Sequence, residues 1–242
     1  MKGARMASTN AVRCPDGLSL RHAALIAGLG YLLTPTSYAE YAIWPKLVIP
    51  GDIGQTILNI SAHQGRFVAA ILCYLVSFLL DIVIAWALYI LLAPVNRALS
   101  LLTAWFRLVY TTVAMVATLN LVHVFRLVQA PDYAAAFGIG PIRAQVKFSL
   151  DSFHWDFSAS LIIFAIHLVL LGILIFRSAY IPRIIGILLI VDGLGWAVNS
   201  LHPYLYPNLH LGWIFITYFG EIVFMLWLLI RGWKIPEPAP AG

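Results

Sequence analysis

Long apolar runs, each close to twenty residues, dominate the chain and are separated by short polar segments. About twenty helical residues cross a bilayer core of about 30 Å. We therefore predict six transmembrane helices, at about residues 22–42, 67–92, 98–125, 157–176, 182–200 and 210–230. The first is the least regular, because Pro35 interrupts it, and we expect a kink there.

This pattern predicts an all-α fold: a polytopic integral membrane bundle in a single domain at residues 21–232. Residues 1–20 form a polar N-terminal tail, and residues 233–242 form a proline-rich C-terminal tail that we expect to be disordered. Between the third and fourth helices, residues 141–150 are predicted to form a short interfacial helix.

Composition supports the membrane class, since 62% of the residues are hydrophobic and 10% are charged. A soluble domain carries about 25% charged residues. The net charge of +5 does not indicate a nucleic-acid partner, because the basic residues stand at helix ends, where membrane topology explains them. Cys14 and Cys73 lie far apart and predict neither a disulfide framework nor a redox motif.

The distribution of basic residues predicts the orientation. With both termini in the cytosol, nine Lys and Arg lie on the cytosolic side and five lie outside. The positive-inside rule therefore favours an N-in, C-in protein of the cell membrane, the inner membrane in a bacterium.

Five predicted helices carry one ionisable residue at nearly the same depth. Each lies 9–11 residues from the cytosolic end of its helix, or roughly 14–17 Å at a rise of about 1.5 Å per residue. Ionisable residues at mid-membrane depth are candidates for a functional site. We name these five residues the midplane layer: Asp81, Arg107, His167, Asp192 and Glu221.

Polar residues at helical spacing, such as Thr103 and Thr111 around Arg107, indicate that the layer faces the bundle interior. A structural interpretation pairs Arg107 with Asp81 or Glu221 and holds the helices in register. One arginine cannot neutralise three carboxylates, however. If all three face inward, we expect at least one to be protonated or bound to a ligand.

A second polar group is expected at the outer side: His123, His154, Asp156, His202 and His210. It lacks the spacing of an HExxH or comparable metal motif. His154 and His167 are 13 residues apart, about 220° around an ideal helix, so they cannot share a haem. The sequence predicts no metal and no cofactor.

Several motifs carry a family resemblance: LLGILIFRS, IPRIIGILL and GLGW between His154 and Trp196, and AALIAGLGYLL, VIPGD and NISAHQGRF before them. With these the chain resembles a mainly bacterial family of integral membrane proteins, catalogued as a domain of unknown function, number 4386. The resemblance implies a six-helix membrane domain and no particular activity. Its motif positions include Asp81, Arg107, His154, His167, Arg177, Pro182 and Arg183. At Asp192 the family more usually carries a small or apolar residue.

Three functions fit these observations. The favoured hypothesis is that the midplane layer binds or translocates a small molecule, an ion or a lipid. The alternatives are a structural or accessory membrane subunit, and a membrane-embedded enzyme that acts on a lipid or isoprenoid with a buried carboxylic acid. The expected partners are the lipid bilayer and, under the favoured hypothesis, a small-molecule or lipid ligand. The sequence leaves open which proteins the chain contacts and whether it is an enzyme.

Overall fold

The computed structural model describes residues 18–206, 208 and 211–236, which are predominantly helical and contain no strand. The predicted all-α class is confirmed. The helices are α1 (Leu20–Leu33), α2 (Thr36–Tyr38), α3 (Trp44–Leu47), α4 (Ile53–Ala62), α5 (Gln64–Leu92), α6 (Arg97–Gln129), α7 (Pro131–Phe137), α8 (Ile139–Arg177), α9 (Arg183–Leu205) and α10 (Phe219–Arg231). A π-helical turn at Ala39–Ile43 joins α2 to α3, and a 3₁₀ helix at Gly212–Tyr218 leads into α10. Both predicted tails lie largely outside the described residues.

Within the described residues, five helical segments are long and apolar enough to cross a membrane: Gln64–Leu92, Arg97–Gln129, Ile139–Arg177, Arg183–Leu205 and Ile214–Lys234. They match the last five predicted spans. The first predicted span is broken, since α1 has only 14 residues and ends at Leu33, with Thr34 as its C-cap directly before Pro35. Helical turns then resume as far as Leu47. The count of six and the N-in, C-in orientation stay predictions.

The prediction of a separate interfacial helix at residues 141–150 was wrong, because these residues do not form a helix of their own. This stretch is helical, but it is continuous with the following span in the 39-residue helix α8. At about 1.5 Å per residue, α8 is roughly 58 Å long and exceeds the thickness of a bilayer core. No helix-breaking residue separates the two parts, so residues 151–156 continue the helix, with Phe153 buried and Asp151, His154 and Asp156 exposed.

Six helical segments pack as a closed ring: α1, α5, α6, α8, α9 and the last segment, which contains α10. α1 contacts α5, α5 contacts α6, α6 contacts α8, α8 contacts α9, and α10 closes the ring between α9 and α1. We call the end that carries Leu20 and Arg231 the termini end. The opposite end, which carries α4 and α7, is the long-loop end.

The outer face of the ring is apolar. Leu79, Trp105, Val116 and Leu194 are each more than half exposed although they lie in the middle of long helices. A soluble protein would place polar residues on such a surface. The faces that carry Asp81, Arg107 and His167 are buried instead, which fits a bundle whose outside contacts lipid.

α8 and α9 approach each other at backbone distance through glycines. A Cβ added to Gly186 would lie 2.6 Å from the carbonyl oxygen of Gly172 and 2.7 Å from the backbone nitrogen of Phe176. Small residues are the usual means of bringing membrane helices this close. The contact fixes α9, and with it Asp192, against the helix that carries His167.

Candidate functional site

Each of the six ring segments contributes one polar side chain at the same depth. Counted from the termini end of its helix, each lies 9–11 residues away, or about 14–17 Å along the axis. Five are the predicted midplane layer, and the sixth is Tyr31 on α1. The layer divides into two parts with different hydrogen bonding.

The first part is an ion pair between α5 and α6. Arg107 donates from Nη2 and Nε to Asp81 Oδ1, at 2.5 Å and 3.0 Å. The exposed fraction of the side chain is 3% for Arg107 and 9% for Asp81. A buried charge needs a partner at this depth, and this geometry supplies it. The sequence predicted a contact of Arg107 with Asp81 or Glu221, and the structure has it with Asp81.

Tyr31 and His167 complete the shell around Arg107. The guanidinium donates from Nη1 to the Tyr31 hydroxyl at 2.8 Å. The same nitrogen lies 3.2 Å from His167 Nε2, and His167 Nδ1 lies 2.8 Å from the carbonyl oxygen of Thr103. A guanidinium can only donate and a carbonyl can only accept. His167 is therefore the neutral tautomer with its proton on Nδ1, and it adds no positive charge.

The second part joins α9 to the start of α10. Asp192 is fully buried, and its Oδ2 accepts the backbone N–H of Glu221 at 3.0 Å. The two carboxyl groups interact electrostatically, and Glu221 also lies within electrostatic reach of Arg107. Among the described residues, neither carboxyl group has an ion-pair partner, because Arg107 is bonded to Asp81.

Several buried polar atoms lie along the face of α9 that carries Asp192. The Oδ1 of Asp192 and the Nε1 of Trp196 make no hydrogen bond of full geometry in the described part of the chain, but the carboxyl group and the indole interact with each other. The Oγ of Ser200 and the hydroxyl of Tyr218 are buried and have no hydrogen-bond partner there. Asp192, Trp196 and Ser200 are four residues apart on one face of α9. The rings of Trp196 and Tyr218 stack at 4.2 Å, which places all four groups along one side of α9. Buried polar groups without partners are uncommon and mark candidate ligand positions.

A separate polar cluster occupies the broken first segment. The Trp44 indole donates to the Tyr74 hydroxyl at 2.6 Å, and that hydroxyl donates to Glu40 Oε1. Thr36 donates to Ser77 at 2.7 Å. Both pairs tie the segment after Pro35 to α5, and Glu40 sits in the π-helical turn. Such turns are frequent at functional sites, but here the polar groups satisfy one another.

The outer group of histidines is dispersed. His123 lines a cavity of about 440 Å³ with Arg126 and Tyr133, Asp156 accepts from Asn120 at 3.1 Å, and the ring of His202 lies against Tyr206. His154 is exposed, and His210 lies outside the described residues. Within the described ranges, no three His, Cys, Asp or Glu side chains come close enough together to hold a metal ion.

Sequence reasoning missed four residues of the site: Tyr31, Trp196, Ser200 and Tyr218. The spacing of Asp192, Trp196 and Ser200 was a readable signal, because it is the same i, i+4 pattern that marked the other polar faces. Tyr31 shares the depth of the layer, but it is not charged at neutral pH. It therefore did not stand out beside the ionisable residues.

The model of one protein family, described as a domain of unknown function (DUF4386), matches residues 26–232. The chain belongs to the DUF4386 family. An uncharacterised protein of Archaeoglobus fulgidus is 32% identical to this DUF4386 chain over 159 residues, which cover 66% of this chain and 81% of the relative. No solved structure matches the chain. Membership of DUF4386 brings no stated activity, so the function is argued from the site.

Proposed function

We propose that this DUF4386 protein, embedded in the cell membrane, binds a monovalent cation at Asp192 and Glu221 in exchange for a proton. The observation that carries the proposal is the fully buried Asp192 carboxylate, which has no basic ion-pair partner among the described residues and interacts with a second carboxyl group, that of Glu221. We call Asp192 and Glu221 the acid pair.

The charge count of the layer supports this proposal. Three carboxyl groups share the layer with one arginine, and the geometry of His167 makes that residue neutral. Arg107 is already bonded to Asp81. Two unpaired carboxylates are costly to bury in the middle of a membrane. Each member of the acid pair is therefore expected to hold a proton or to share a bound cation.

The groups around the acid pair suit a small hard cation. Carboxylate and hydroxyl oxygens are the ligands that such ions prefer, and the Tyr218 hydroxyl, which interacts electrostatically with Asp192, has no hydrogen-bond partner in the described structure. The Ser200 hydroxyl also lacks a partner there, but it is too far away to bind the same ion. Ser200 lies eight residues from Asp192 towards the long-loop end, about 12 Å along the helix. The unpartnered groups thus extend from the midplane towards that side, and we propose exchange of the ion in that direction.

Irregular backbone beside Glu221 supports a binding role. The last segment changes from a 3₁₀ helix to α10 at Phe219, two residues before Glu221. Membrane proteins use interrupted helices where irregular backbone lines a site for an ion.

The second hypothesis, a purely structural role, fits the part of the midplane layer around Arg107. Arg107, Asp81, Tyr31 and His167 bond to one another directly. This arrangement favours a scaffold role for these four residues, which hold α1, α5, α6 and α8 in register while the acid pair binds the ion.

Cation addition to purified, proton-loaded protein in weakly buffered detergent solution tests the proposal. Sodium and potassium chloride are titrated separately at neutral pH, and released protons are followed with a pH indicator. We expect saturable release, because each bound cation displaces a carboxyl proton. Asp192→Asn and Glu221→Gln should each abolish most of the release.

Asp151→Asn is the matched control, since Asp151 is an exposed carboxylate paired with Lys147 and should leave the release unchanged. Absence of release from the unsubstituted protein, or equal release from Asp192→Asn, would overturn the proposal.

A further inference from the structure

A second cavity lies at the termini end, away from the acid pair. It measures about 610 Å³ and is lined by residues 179–182, Trp227, Arg231, Lys234 and Ile235. Its position between the α8–α9 turn and the end of α10 corresponds to the level of lipid headgroups when the apolar spans lie in the bilayer core.

The walls of this cavity are fixed by hydrogen bonds. The Tyr180 hydroxyl donates to the carbonyl oxygen of Leu91, which holds the α8–α9 turn against the end of α5. Arg21 donates from Nε to the carbonyl oxygen of Ile235 at 2.9 Å, which holds the segment after α10 against α1. The cavity is therefore a built feature of the fold and not a gap between loose chain ends.

The charge at this end is strongly positive. Among the described residues, the termini end carries six basic side chains and no Asp or Glu: Arg21, Arg97, Arg177, Arg183, Arg231 and Lys234. The long-loop end carries five basic residues, Lys46, Arg66, Arg126, Arg143 and Lys147, and five acidic ones, Glu40, Asp52, Asp132, Asp151 and Asp156. A site at the termini end thus attracts anions, whereas the long-loop end is balanced.

We propose that this cavity binds the headgroup of an anionic phospholipid. Arg231 and Lys234 are exposed cations on the cavity wall, and both side chains bind phosphate oxygens through charge-assisted hydrogen bonds. Trp227 and Ile235 provide the apolar part of the lining for the glycerol and the first acyl carbons. Basic pockets between membrane helices are suited to lipid headgroups in this way.

Native mass spectrometry of the delipidated full chain in detergent tests the proposal. Dioleoyl phosphatidylglycerol and dioleoyl phosphatidylcholine are titrated in parallel, and bound lipid is counted at each concentration. We expect tighter binding of phosphatidylglycerol. The double variant Arg231→Gln/Lys234→Gln should weaken that binding about 30-fold, since each basic residue near a charged lipid contributes about fivefold.

The double variant Arg97→Gln/Arg177→Gln is the matched control, because it also removes two positive charges from the same end, and neither residue lines the cavity. It should weaken phosphatidylglycerol binding clearly less than Arg231→Gln/Lys234→Gln does. Equal binding of the two lipids, or an equal loss in the two double variants, would overturn a local site. Competition by inorganic phosphate at concentrations similar to those of the lipid would reassign the cavity to free phosphate and equally overturn the proposal.

Discussion

Arg107→Leu is expected to lower the free energy of unfolding by about 3–5 kcal/mol, because it leaves the buried Asp81 carboxylate without a counter-charge. It also removes the donor that Tyr31 and His167 share. Unfolding of the purified protein in mixed detergent, followed by circular dichroism, measures the change.

A double-mutant cycle identifies the partner of Arg107. Asp81→Asn added to Arg107→Leu should recover part of the lost stability, since it removes the stranded charge. Glu221→Gln should recover less, because Glu221 lies within electrostatic reach of Arg107 but makes no ion pair with it in the described structure. Arg177→Leu, at an exposed position on α8, controls for the loss of a positive charge. Strict additivity of Arg107→Leu and Asp81→Asn would contradict the pairing.

Gly186→Leu is expected to destabilise the bundle by about 3 kcal/mol or more, through overpacking at the α8–α9 contact. The atoms that a Cβ would meet at 2.6 Å and 2.7 Å belong to the backbone of Gly172 and Phe176. A backbone cannot rotate out of the way as a side chain can, so the two helices must separate. The same unfolding measurement reports the loss.

Gly65→Leu is the control for this substitution. Gly65 also lies in a helix, but a Cβ there would meet no atom within 4 Å. The free energy of unfolding should change by no more than about 0.5 kcal/mol. Similar losses for the two variants would mean that the α8–α9 approach does not limit stability.

The sequence was sufficient to predict the class of fold and the depth of the polar layer. Apolar runs of spanning length have few alternatives to helices in a membrane. The constant helical rise then converts residue spacing into height, which is why residue numbers alone place Asp81, Arg107 and His167 at one level.

The ion-pair partner of Arg107 and the buried polar atoms without hydrogen bonds were harder to predict. Height alone could not decide between Asp81 and Glu221 as the partner of Arg107, because both share its level. The decision depends on which helices are neighbours, and α6 packs directly against α5. The unpartnered hydroxyls of Ser200 and Tyr218 could not be foreseen either, since a missing hydrogen bond is a property of three-dimensional packing.

The infrared spectrum of the purified protein tests most directly whether the acid pair lacks a counter-charge. We predict the carbonyl-stretch band of a protonated carboxyl group at neutral pH, in the absence of added alkali cation. The band should disappear in the double variant Asp192→Asn/Glu221→Gln, because the remaining carboxyl group of the midplane layer, that of Asp81, forms an ion pair with Arg107. A spectrum of the unsubstituted protein without this band, or a band that survives in the double variant, would contradict the division of the layer into a closed ion pair and an acid pair that binds an ion.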